Sequence, residues 1–281
     1  MKCKSNVVLF AFIKNQALQT ILSHIQNYEP ACLYVVIDLP RNENEMLLQQ
    51  EVKKTIADFD NKLNVHYIIP KTHKGLGFIF DFALDAIFEM EDQIIVLEDD
   101  TIPTMNFFSF CNDQLVAHQS DKKITSIIGT NMQNSSDLNG YFSAQVGFPF
   151  WGWATWKEKW LAQPKTDDFY QFISSKNTKI DHIINTFVKT KGSNISWDLR
   201  WCVYQYLSKS KVVLPTQNMI TNNGFNHLAS FTKNENSLFK DLPLSTSENS
   251  NWQKLSTEKE LEFELDYIDQ VHLFITEFTN L

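Results

Sequence analysis

Short apolar runs at residues 7–12, 33–37, 65–69, 94–97 and 124–128 are rich in β-branched side chains, and their length and composition predict buried strands. Between them, apolar positions recur at helical spacing over 17–25, 45–59, 78–88 and 107–118. Strand and helix in alternation predict an α/β fold, a mostly parallel sheet covered by helices, with ligands at the carboxyl ends of the strands. Polar residues stand at three of those ends. Lys14 and Asn15 follow the first run, Asp38 ends the second, and Glu98-Asp99-Asp100 ends the fourth.

The pattern changes after residue 130. Residues 131–160 are rich in Asn, Gly and aromatics, and their periodicity is weak. Helical spacing returns at 180–189 and 198–207, followed by a strand-like VVLP at 212–215. The polar stretch 234–257 reads as a loop or tether. A last amphipathic helix is expected over 258–278, with Leu261, Leu265, Ile268 and Phe274 on one face.

Composition narrows the chemistry. With 281 residues and a formal net charge of −8, and with no lysine-rich face or tail, the chain does not fit a nucleic-acid partner. Its arginines are Arg41 and Arg200 alone, so bidentate arginine clamps on a pyrophosphate are scarce and a metal ion becomes the expected neutraliser. Cys3, Cys32, Cys111 and Cys202 are scattered without C-x-x-C or zinc-like spacing, which suits reduced thiols in a cytosolic protein. The apolar run near the start is read as a first strand rather than a signal peptide, because polar residues follow it directly. No apolar run approaches the roughly 18 residues that a membrane span requires.

Three segments carry candidate chemistry. In IIVLEDD a buried strand delivers three consecutive carboxylates at its end, a costly crowding unless a cation compensates it. Mg²⁺ or Mn²⁺ would do so while sharing a diphosphate, whereas an acidic loop before the next helix is the plain alternative. In SWDLRW, Asp198 falls in a helical first turn, where it serves as a cap or, among its aromatic neighbours, as a general base. In PFWGWATWKEKW, four tryptophans crowd ten residues, and Trp151 or Trp153 is a candidate platform for a sugar ring, although a hydrophobic corner explains the cluster as well. The glycines of THKGLGF, residues 72–78, leave backbone N–H groups open to a nucleotide, and the stretch NNGFNH, residues 222–227, reads as a mobile flap.

Taken in order, Lys14-Asn15, Asp38, HKGLG, LEDD, WGWATW, SWD and NNGF resemble bacterial sugar transferases of the GT-A class. These are similar to the Golgi N-acetylglucosaminyltransferase that begins hybrid N-glycans and to its protein-O-mannose relative. The resemblance spans residues 7–232. It implies a metal-assisted, inverting transfer of a sugar, GlcNAc or a related hexose, from a UDP-sugar donor to a glycan or lipid-linked saccharide acceptor. By the same resemblance Asp100 binds Mn²⁺ or Mg²⁺, Glu98 and Asp99 contact the nucleotide sugar, and Asp38 reads the uracil edge. Lys14, where relatives often carry arginine, and His73 lie by the base. Asp198 is the general base, and Ser230 in the flap lies near the diphosphate. The organisation implied is a nucleotide-sugar-binding half over 1–130, an acceptor-binding half over 131–233, and a polar tether with a C-terminal helix over 234–281. A cytoplasmic location follows, with contact at the inner membrane face through the acceptor. Two other readings stand beside it. One is a sugar-1-phosphate nucleotidyltransferase, although the glycine-rich loop such enzymes place after the first strand is absent from FAFIKNQALQ. The other is a non-catalytic carbohydrate-binding protein.

Overall fold

The computed structural model describes residues 4–133, 138–165, 168–169, 196–225, 234, 236–245 and 251–279. The first half follows the expected alternation. Strand β1 (Asn6–Ala11), helix α1 (Leu18–Tyr28), β2 (Leu33–Ile37), α2 (Glu43–Ala57), β3 (Val65–Ile68), α3 (Leu76–Ile87) and β4 (Gln93–Glu98) give a parallel β3-β2-β1-β4 block. The chain winds outward from β1 to β3 and then crosses to the other side of β1 to form β4. That crossing makes the β1/β4 seam the switch point of the sheet, where such folds open a crevice. Phe10 is in register with Glu98, so the acidic turn begins at the mouth of that crevice.

The second half completes the sheet with strands that the sequence pattern concealed. After β5 (Thr101–Pro103), α4 (Met105–Ala117) and β6 (Ile124–Ile128) come β7 (Gly140–Ala144), β8 (Trp153–Trp156), α5 (Lys157–Leu161), α6 (Trp197–Ser208), β9 (Lys211–Pro215), β10 (Ile220–Asn222), β11 (Gln253–Lys254) and α7 (Thr257–Thr279). The nine-stranded order is β11-β7-β9-β6-β8-β4-β1-β2-β3, with β8 antiparallel between β4 and β6. All four β8 residues are buried, so no apolar/polar alternation marks it. β5 and β10 form a separate antiparallel pair beside the acidic turn. The helical pattern at 180–189 lies outside the described residues, and β11 forms within the stretch expected to be a tether.

The tryptophan-rich segment is core. Phe10 of β1 stacks on Phe80 of α3 at 3.7 Å between ring centroids, Phe80 on Trp197 of α6 at 4.1 Å, and Trp197 on Trp153 of β8 at 5.0 Å. Trp160 and Trp201 close around the same column. Each such pair contributes about 0.5–1.5 kcal/mol beyond its buried area. A buried ion pair fixes α6 to α3: Arg200 Nη2 donates to Asp81 Oδ1 at 2.8 Å, and Nη1 donates to the Pro164 carbonyl at 2.8 Å.

Helix α7 forms where expected, and of the expected face Phe274 is buried and Ile268 half-buried, but its first turns are rotated outward. Tyr267, Val271, Phe274 and Ile275 are buried, whereas Leu261 and Leu265 are each 57% exposed. The reason lies in polar anchors that the apolar pattern does not show. Glu260 accepts from Ser143 N–H and Oγ–H at 3.0 and 2.5 Å, and Glu264 accepts from Gln145 N–H at 2.8 Å. Tyr267 OH donates to the Phe148 carbonyl at 2.8 Å. These set the rotation of the helix against β7. No helix among the described residues is long and apolar enough to cross a membrane, and Cys32, Cys111 and Cys202 are buried and free.

The rotation is open to a direct check. Phe274→Ala is expected to cost about 3–5 kcal/mol of unfolding free energy in a urea titration, whereas Leu265→Ser should stay within about 0.5 kcal/mol of the parent. Equal losses would mean that the helix lies on its Leu261–Leu265 face.

Candidate functional site

A cleft of about 270 Å³ opens at the carboxyl ends of β1, β2 and β4. Phe10 and Phe80 form its floor, residues 11–14 and Asp38 two of its walls, and Glu98 and Asp99 a third. A second hollow of about 210 Å³, lined by Asn15, Gln16, Asp100 and Asn223, adjoins it, and Ile13, Lys14 and Asp99 line both. Lys14 therefore stands at the partition.

At the base of this partition the chain makes a tight acidic turn. Thr101 Oγ1 accepts from Glu98 N–H at 2.9 Å and donates to the Glu98 carbonyl at 3.0 Å, locking the three acids into separate directions. Asp99 turns back toward β1, where Oδ2 accepts from the N–H groups of Phe12 (2.8 Å) and Lys14 (3.2 Å). Asp100 meets the Lys14 ammonium in a largely buried ion pair. Behind Asp100 runs the end of β10. Asn223 N–H donates to the Asp100 carbonyl at 2.8 Å, and a methyl group on Gly224 would collide with Asp100 Oδ2. Sequence reasoning saw Asn223 and Gly224 only as a flap; the spacing gave no sign that they back the acid.

The electrostatics follow from burial. Glu98 is raised well above the carboxylate range, first by burial, then by the charges of Asp100 and Asp198. Asp99 is raised to about 7 by burial and by Asp100, against the opposing pull of Lys14 and of its two backbone donors. Burial alone would lower Lys14, but Asp100, Asp99 and Glu98 together raise it above its ordinary value. Asp198 stands in the first turn of α6, half-buried, with its own value raised by burial. Its charge registers at Glu98, so α6 brings it to the β4 acids despite the long intervening chain.

The opposite wall is built around Asp38. Its carboxylate accepts from Leu39 N–H (2.8 Å), Lys74 N–H (2.9 Å) and Gly75 N–H (2.7 Å), and His73 Nδ1 lies 3.1 Å away. Gly75 has φ 74°, a left-handed conformation that glycine adopts without strain, and α3 begins at the next residue. Three backbone N–H groups hold this carboxylate, two of them from the 73–75 loop. Asp38 thus anchors the 73–75 loop while lining the cleft. His73 Nδ1 donates to the Leu39 carbonyl at 2.7 Å, which leaves Nε2 as the acceptor of the neutral ring. Phe12 lies between His73, at 6.2 Å between ring centroids, and Arg41, 6.0 Å from its ring. Arg41 and Phe12 are rim residues that sequence reasoning missed. Arg41 follows Asp38 by three positions, which was the available clue.

Trp153 needs correction. It is 1% exposed, with Trp197 stacked on one face and Phe150, Trp160 and Trp201 around it, so it has no open face for a sugar. Trp151 is buried too, against Phe225 and Phe274. Ser230 lies outside the described residues. Lys14, Asp38, His73, Glu98 and Asp99 line one cleft, with Asp100 across the partition and Asp198 behind Glu98. Among the described residues no three His, Cys, Asp or Glu side chains are grouped to hold a metal by themselves. Asp100 offers one carboxylate and already engages a cation, a set that fits a divalent ion completed by diphosphate oxygens.

No family model matches the chain, and no curated protein matches it. Among solved structures, apo UDP-glucose pyrophosphorylase is similar over 78% of this chain and 93% of its own, with 11% identity and a TM-score of 0.42. The pyrophosphorylase complexed with UDP-glucose is similar over 75% and 90%, with 11% identity and a TM-score of 0.41. A197 from STIV is similar over 77% and 83%, with 10% identity and a TM-score of 0.36. Likeness of this degree bears on neither activity nor ligand.

The Asp99 environment generates a pH dependence. In the fold Asp99 keeps its proton up to about 7, whereas the unfolded chain releases it near about 4. The stabilisation from that proton is therefore full below about pH 4 and is lost as pH rises through about 7. Without divalent ions, Asp99→Asn should melt progressively higher than the parent between about pH 5 and about pH 8. A melting difference that is flat over that range would show that the charged form is already compensated.

Proposed function

We propose that the chain is an inverting glycosyltransferase moving a sugar, GlcNAc or a related hexose, from a UDP-sugar to a hydroxyl of a glycan or lipid-linked saccharide. The observation that carries this reading is the acidic end of β4, Glu98 to Asp100, beside a cleft at the sheet's switch point, with Asp198 near enough for its charge to act on Glu98.

The roles follow from the environments. Raised by burial, Asp198 is moved toward the pH at which a general base works, and it takes the acceptor hydroxyl's proton on its carboxylate. Glu98, held protonated by burial and its acidic neighbours, is a hydrogen-bond donor toward the donor sugar and a poor nucleophile. No second carboxylate is assigned the part of a nucleophile in this reading, so the transfer is a direct displacement with inversion. Asp100 would hold Mn²⁺ or Mg²⁺, which when bound draws charge from the departing diphosphate. The base would lie against Phe12, with His73 Nε2 accepting from a ring N–H, and Asp38 contributes by holding the His73 loop. Trp153 supports Trp197, which carries Asp198 into place.

Two substitutions separate binding from chemistry. Asp100→Ala should abolish Mn²⁺-dependent binding of UDP in a calorimetric titration while the fold persists, and unchanged Mn²⁺-dependent affinity would remove Asp100 from the metal site. Asp198→Asn keeps the size of the side chain and its place in the helical turn. It should bind UDP with Mn²⁺ normally and melt near the parent temperature, yet transfer sugar at least about 100-fold more slowly. Retention of more than about a tenth of the parent kcat, with chemistry rate-limiting, would leave Asp198 a structural residue.

A further inference from the structure

The Lys14 side chain spans the partition between the two hollows and ends on Asp100, the carboxylate to which the proposed function gives the metal. Its backbone N–H is tied to the neighbouring Asp99 at 3.2 Å, so the residue is held at both ends by the acidic turn. On the other side of Asp100, Gly224 packs so closely that a methyl group there would collide with Oδ2, and Asn223 N–H holds the Asp100 carbonyl. A divalent ion seated on the same oxygen would be in contact with the ammonium, and the repulsion between the two cations opposes their sharing it.

We propose that Lys14 is a built-in counter-ion that occupies Asp100 until the metal arrives, and that metal binding releases its ammonium across the partition to a phosphate oxygen of the donor. The proposal rests on the metal reading of Asp100 under the proposed function. It goes further in making metal and Lys14 competitors at Asp100 and partners at the diphosphate. The geometry suits such an exchange. Lys14 lines the larger cleft together with Glu98 and Asp99, and the smaller hollow with Asp100. A four-carbon stem ending in a compact charge allows that swing, which a planar guanidinium held bidentately would resist. Nucleotide and metal then bind cooperatively, because the metal alone displaces Lys14 without giving it a new partner, whereas the diphosphate supplies one.

The test is calorimetric titration with MnCl₂ alone, in the absence of nucleotide. Lys14→Met removes the competitor and should bind Mn²⁺ at least about 10-fold more tightly than the parent. Arg41→Met removes a different cation from the cleft rim and controls for long-range charge; its Mn²⁺ affinity should stay within about twofold of the parent. In a Lys14→Met, Asp100→Asn double variant the gain should vanish. A Lys14→Met affinity within about twofold of the parent, or a gain that survives in the double variant, would overturn the proposal. A second measurement avoids substituting Lys14, whose loss could unfold the acidic turn. Acetylation of Lys14 by acetic anhydride in the unmodified protein, followed by mass spectrometry, should be slow without metal and at least about fivefold faster with saturating Mn²⁺. Equal rates would contradict the exchange. None of these readouts depends on the reaction catalysed, so sugar transfer can fail while the Lys14 exchange stands, and the reverse holds as well.

Discussion

Four carboxyl groups, Glu98, Asp99, Asp100 and Asp198, come together where the sheet ends and water is scarce, and the structure sets the Lys14 ammonium against them. Like charges brought this close in a partly dry site either give up their charge or hold a cation. Both happen here. Glu98 and Asp99 are pushed toward their protonated forms, and Asp100 is paired with the Lys14 ammonium. The three consecutive acids thus become three chemically different groups: a buried donor, an acid that titrates near neutrality, and a cation ligand. The Thr101 turn and the Asn223–Gly224 backing prevent them from relaxing apart.

The rest of the fold keeps that notch assembled. The Phe10–Phe80–Trp197–Trp153 column links β1, α3, α6 and β8, and it sets the start of α6, and with it Asp198, beside β4. The Arg200–Asp81 pair fixes the same helix from its other side. On the far wall, Asp38 accepts successive N–H groups of the loop before α3 and so shapes the face that His73 presents. The buried tryptophans serve the site by positioning it, which explains why their side chains are not open to a ligand.

The parallel block and the acids at its strand ends were legible because local pattern and global position agree there: the runs of β1, β2 and β4 are strands buried on both faces, polarity returns where they leave the sheet, and only β3, at the sheet edge, is partly exposed rather than buried as expected. Trp153 misled because an aromatic cluster looks the same in sequence whether its faces are open or stacked. Strands β7 and β8 escaped notice because neither alternates apolar and polar positions. The face of α7 was misjudged over its first turns because Glu260, Glu264 and Tyr267 fix its rotation through hydrogen bonds to residues about 117 to 119 positions earlier, which no local period encodes. Asp38 was found at the right strand end, but its role was not legible, since its partners are backbone groups of a distant loop.

The central claim is that the acidic notch and Asp198 together transfer a sugar rather than a nucleotide. It is tested most directly by identifying the products formed from UDP-sugars, a glycan or lipid-linked acceptor and Mn²⁺, using mass spectrometry for their identity and proton NMR for the anomeric configuration. The account predicts UDP and an inverted glycoside, formed in equal amounts and dependent on Asp198. Release of sugar 1-phosphate, with formation of UTP when pyrophosphate is added and no glycoside, would contradict it.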